Sequence, residues 1–176
     1  MSSVEFHKFR ENIKNINGYT DQKEKIFDNF IDQGLPNKRN ESWKYFDLVS
    51  KSKKYIKNDI SNSEIIVEDL EEKNIFYDYA DNNLSIEDYF KPCNFFKSES
   101  VVDLNVACGN QIKILDIKHT QNEPITIKID HNGKNISLPR LIINIADNVK
   151  AKINYVNSTK NGFLNLLVEY LSLIHI

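Results

Sequence analysis

The chain has 176 residues, 40% hydrophobic and 27% charged, with a net charge of −2. That composition fits an ordinary globular protein of one domain or two small ones. It leaves no overall footprint for nucleic acid or an anionic membrane, and no apolar run approaches the ~20 residues of a membrane span.

Val4 to Ile16 reads as a first helix, with Val4, Phe6, Phe9, Ile13 and Ile16 as apolar positions and Ser2 or Ser3 as N-cap. Gly18 breaks it. Asp21-Gln22-Lys23-Glu24 has the form of a capping box, and Ile26, Phe27, Phe30 and Ile31 then share a helical face. Gly34 can close that helix, and Pro36 cannot continue it. Trp43, the only tryptophan, is expected to pack back onto this face together with Phe46. Full burial of an indole removes roughly 150–250 Å² from water, an upper bound of about 4–6 kcal/mol.

The stretch Gly34-Leu35-Pro36, followed by Lys38-Arg39, Glu41 and Trp43-Lys44-Tyr45, resembles the N-terminal signature of the SufB/SufD family. These proteins are scaffold components of the SUF iron–sulfur cluster assembly machinery. The usual pattern has Thr after Gly-Leu-Pro, an acidic residue or Asn before Trp, and Thr after Tyr. Asn37, Ser42 and Phe46 stand there instead.

Lys51-Ser52-Lys53-Lys54 reads as a short basic linker. A nucleic-acid patch is the sharper alternative, offset locally by Asp59, Glu64, Glu68, Asp69, Glu71 and Glu72. Glu64 to Val67 and Asn74 to Tyr79 look like short strands. The acidic run from Glu68 to Glu72 could serve acid–base chemistry or a divalent ion. Without a Gly-containing ligand loop, a solvated loop is the preferred reading. Asn82-Asn83 is a turn. Ser98 to Ala107 is a candidate helix, with Ser98 as N-cap, Phe95 and Phe96 as a staple-like contact and Gly109 at its end.

Cys93 and Cys108 form no Cys-x-x-Cys pair, and His7, His119, His131 and His175 show no metal-ligand spacing. Cys108 reads as a small buried residue rather than a nucleophile. A reduced, cytoplasmic compartment is the expectation, since Met1 to Arg10 lacks the apolar stretch of a secretory signal.

From Gln111 the pattern becomes short alternating strands. Their apolar positions are Ile112, Ile114 and Ile117; Ile125, Ile127 and Ile129; Leu141, Ile143 and Ile145; Ile153 and Tyr155; then Phe163 to Val168. Asn122-Glu123-Pro124, Asn132-Gly133, Asp147-Asn148 and Asn161-Gly162 punctuate them. Such spacing suits a sandwich, a barrel or the coils of a β-helix. The resemblance implies the last of these. Leu104 to Ala107, Leu138 to Ile143 with the following Ala-Asp-Asn-Val-Lys-Ala-Lys-Ile, and Asn165 to Glu169 are similar to family segments around a right-handed parallel β-helix core. The expected fold is therefore α+β. Residues 1–48 form a helical domain, 49–97 a linker with short strands, 98–170 the first β-helix coils, and 171–176 a non-native sequencing-adapter scar. An uncovered final coil points to a piece of a longer protein.

No Walker A loop, Gly-x-Gly-x-x-Gly, His-Glu-x-x-His or Ser elbow is present. The resemblance implies a non-catalytic scaffold acting with a SufB-like protein and a SufC-like ABC ATPase. This chain would hold no cofactor itself, a nascent iron–sulfur cluster being built on the full complex. The family's functional His and Cys residues lie beyond residue 170, so no catalytic, cofactor-binding or metal residue is assigned. A β-helix carbohydrate-processing enzyme or a β-rich binding module is the alternative. Its candidate carboxylates would be Asp116, Asp130, Asp147 and Glu169, which turn formation explains better.

Overall fold

The computed structural model describes residues 6–14, 20–79, 99–109 and 111–172. The fold is mixed α+β. A 3-10 turn at His7–Phe9 leads into α1 (Arg10–Lys14), and α2 spans Thr20–Gln33. Lys23, Phe27 and Phe30 of α2, spaced i, i+4, i+7, are buried. Gly34 takes φ 67° and donates its amide to the Phe30 carbonyl at 2.7 Å, the left-handed cap its position suggests. The capping-box expectation fails, because α2 already begins at Thr20. Asp21 thus lies in the first turn, where its charge favours the helix dipole instead.

The segment 51–54, expected as a linker, lies within helix α3 (Leu48–Ile56). Asp47 caps it, accepting from the Ser50 amide at 3.1 Å. Leu48, Ser52 and Ile56 form its buried stripe, and Ser52 is accommodated there by donating to the Leu48 carbonyl at 2.7 Å. The fourth helix, α4, runs over Ser100–Cys108. Ser98, Phe95, Phe96 and the Asn82-Asn83 turn fall outside the described residues. Gly109 follows α4 with φ −67°, so backbone handedness does not demand glycine. Space does: a Cβ there would stand 2.6 Å from both the Asn105 and Leu138 carbonyl oxygens.

One apolar cluster gathers Phe6, Phe9, Ile13, Phe27 and Phe30 against Leu104 and Ala107 of α4 and against Ile136 and Leu138. Phe6 meets Phe30 edge-on at 4.9 Å. Trp43, in a 3-10 turn at Glu41–Trp43, is only half-buried at the margin of this cluster, and Phe46 beside it is 47% exposed. The four phenylalanines already fill the centre. The expected docking role of the indole is correspondingly smaller.

Nine strands make up the rest: β1 Glu64–Glu68, β2 Ile75–Asp78, β3 Gln111–Ile117, β4 Ile125–Asp130, β5 Ile136–Ser137, β6 Pro139–Ile145, β7 Ile153–Asn157, β8 Phe163–Leu164 and β9 Leu167–Ser172. They form sheets of order β1-β4-β7, β2-β3-β6-β9 and β5-β8. β1 and β2 pair antiparallel with β4 and β3. Every other ladder is parallel. Gln111 pairs with Pro139 and Ile125 with Ile153, each 28 residues on. Ile136 pairs with Phe163 and Arg140 with Leu167, each 27 residues on. Asn148 and Asn161, in the connecting turns, take φ 61° and 55°, which Asn tolerates better than most residues.

A second apolar cluster fills the space between the two larger sheets. Leu115, Ile117, Leu141 and Ile143 come from one, and Ile65, Ile125, Ile127 and Ile129 from the other. β6 is buried from Pro139 through Ile143, so both of its faces are covered.

Candidate functional site

The carboxylates weighed for catalysis do not converge. Asp116 accepts from the Tyr77 hydroxyl at 3.3 Å and from the Asn144 amide at 2.7 Å. Glu169 takes a two-point contact from Arg140 at 2.7 and 2.9 Å. Asp130 stands on the other larger sheet, opposite Glu64, and Asp147 is exposed in a turn.

The acidic run is tied into a corner by two amides that sequence reading missed. Gln121 accepts from the Glu71 amide at 3.1 Å and donates to the carbonyls of Asp69 and Glu123 at 2.7 and 2.9 Å. Asn74 accepts from the Lys118 and His119 amides at 2.9 and 3.1 Å. Glu68 pairs with Lys128 at 2.6 Å. An open groove beside this corner is lined by Glu71, Glu72 and His119. Among the described residues no group of three or more His, Cys, Asp or Glu could hold a metal ion.

Cys108 is fully buried and free, and burial pushes its thiol up to about 12. That suits the small-core reading. Cys93 and His175 lie outside the described residues. His131 is buried and contacts the Asn135 carbonyl at 3.1 Å, while His7 and His119 are exposed. Lys23 is buried in α2 near Cys108 and Arg140, and burial lowers its amine to about 8.

The feature with the greatest potential for assembly is the edge formed by β7 and β9. Each has a single strand neighbour among the described residues. Val67, Ile127 and Tyr155 stand in one row across β1, β4 and β7. Phe76, Leu115, Ile143 and Tyr170 stand in another across β2, β3, β6 and β9. The last member of each row is a tyrosine, and their hydroxyls meet at 2.5 Å. Burial, then the bond to Tyr170, raises the Tyr155 hydroxyl well above the usual phenol range. Tyr155 and Tyr170 are 41% and 54% exposed. Nothing in the sequence marks this pair beyond alternation with Ile153. Chemically the edge offers free backbone donors and acceptors beside aromatic surface, suited to strand addition.

The class these observations define is an α+β protein in which a helical layer abuts stacked parallel strands. Compared with known proteins, the chain matches no family model, and no curated protein or solved structure gives a significant match. Among the described residues, no helix is long and apolar enough to cross a membrane.

Proposed function

We propose that the chain is a SufD-like scaffold of the SufB/SufD family, non-catalytic in itself, with the opening coils of a right-handed parallel β-helix. The observation that carries this reading is the constant offset of the parallel ladders. A chain that visits three faces in turn and returns about 28 residues later, one strand further along, generates such an offset. Parallel crossovers are almost always right-handed. The Gly34-Leu35-Pro36 to Tyr45 signature and the helical layer ahead of the strands support the same family.

On this reading the chain works in the cytoplasm with a SufB-like protein and a SufC-like ABC ATPase, and a nascent iron–sulfur cluster is cargo of their complex. The strand stack supplies a rigid body, and the β7–β9 edge lets it be extended by further strands. The carbohydrate-processing alternative has no support in the dispersed carboxylates described above.

The test is affinity purification of the protein, tagged at its own gene. Co-purification of a SufB-like protein and an ABC ATPase is expected. Recovery of a monomer with neither would overturn the scaffold reading.

A further inference from the structure

The segment 38–57 carries seven basic residues and two acidic ones, in a chain whose overall charge is −2. All seven are exposed. Lys51, Lys53, Lys54 and Lys57 occupy the solvent side of α3 and the residue after it, with like charges at i, i+3 and i, i+4. Such pairs destabilise a helix by a few tenths of a kcal/mol each. Among the described residues, none of the seven meets a carboxylate at ion-pair distance. Tyr45, 89% exposed, leads into the same helix with the Lys44 amine 5.0 Å over its ring.

An apolar pocket of about 120 Å³ adjoins this ridge, lined by Phe6, Phe30, Ile31, Leu35 and Val49. Val49 lies one helical turn before Lys53. Asn37, on the opposite rim, directly precedes Lys38 and Arg39. That rim is held in shape: Asn37 accepts from the Arg39 amide at 2.8 Å, and Asn40 accepts from the Asn37 amide at 3.0 Å.

We propose that the basic ridge and this pocket together form a docking surface for an acidic peptide segment carrying one apolar anchor residue. The pocket has room for a single side chain, and unpaired lysines flank it on both sides. A nucleic acid fits less well. Only Arg39 offers a planar fork, the Tyr45 ring already faces a lysine, and the acidic remainder of the chain would repel an extended polyanion. This surface belongs to the helical layer and is independent of the scaffold reading.

The test is fluorescence anisotropy at low ionic strength with a labelled peptide of Asp and Glu bearing one central Leu. Companion probes are the same peptide with Ser for Leu, and a labelled oligothymidylate of matched charge. Saturable binding of the Leu peptide is expected. Affinity should weaken about tenfold or more in the Lys51→Glu/Lys53→Glu/Lys54→Glu variant, and about threefold or more for the Ser peptide. Because these lysines are exposed, the variant should keep the parent's circular dichroism. A Lys51→Gln/Lys53→Gln/Lys54→Gln variant should fall between the two. Absence of saturable binding, indifference to the anchor, or tighter binding of the oligothymidylate would each overturn the proposal.

Discussion

Arg140 of β6 and Glu169 of β9 join through two parallel hydrogen bonds across neighbouring parallel strands, with side chains only 6% and 11% exposed. A pair so thoroughly removed from water is costly to break from one side, because the survivor keeps its desolvation penalty. Glu169→Ala should destabilise the protein by about 3–5 kcal/mol in urea titration. The double change Arg140→Met/Glu169→Leu should cost distinctly less than the two single changes added together. Strict additivity would show that the pair is not coupled.

Trp43 and Phe30 offer a comparison within one cluster. Phe30 is fully buried at the meeting of Phe6 and Phe27, whereas Trp43 is half-buried at the margin. Phe30→Ala should cost about 3–5 kcal/mol and Trp43→Ala about 1–2 kcal/mol. Equal losses in chemical denaturation would return the indole to the centre of the helical layer.

Burial lowers the Lys23 amine from 10.5 to about 8 and raises the Cys108 thiol from 9.0 to about 12. Between pH 8 and 9 the unfolded chain holds the Lys23 proton that the folded chain has released, so stability rises with pH. Between pH 9 and 10.5 the folded chain keeps the Cys108 proton that the unfolded chain loses, and the two effects oppose. Above 10.5 only the loss remains. Urea midpoints across this range should rise, level off and fall. Lys23→Met should remove the rise, and Cys108→Ala should delay the fall. A rise that persists in Lys23→Met would assign it to another group.

Asn105 donates from one amide nitrogen to the carbonyls of Pro139 and Asn165, at 3.1 and 2.6 Å, just where β6 begins and just before β9. It therefore ties α4 to two successive turns of the strand stack. Asn105→Ala would leave buried carbonyls without a donor, at about 1–3 kcal/mol. Gly109→Ala should be worse than a helix propensity scale suggests, since the methyl meets two carbonyl oxygens. Thermal melts of both variants check this. A neutral Gly109→Ala would mean that the backbone there yields easily.

Strand positions from β3 to β9 were legible because isoleucine alternation and Asn- or Gly-bearing turns are local signals. Their pairing was not. A ladder between Ile125 and Ile153 has no local signature, so periodicity alone left sandwich, barrel and β-helix open. α3 was misread because its lysines dominate a short stretch and a serine occupies the middle of its buried stripe. The anchor role given to Trp43 followed from its size, yet the packed centre comes from four phenylalanines set far apart in sequence. Tyr155 and Tyr170 meet only through the stacking of two rows, which no spacing rule reveals.

Interstrand NOE spectroscopy on the deuterated protein tests the stacked parallel register most directly. Amide contacts should link Ile125–Ile129 to Ile153–Asn157, and Gln111–Ile117 to Pro139–Ile145, always 28 residues apart and running in the same direction. Close Hα–Hα contacts joining β3 to β4 as an antiparallel hairpin would contradict it.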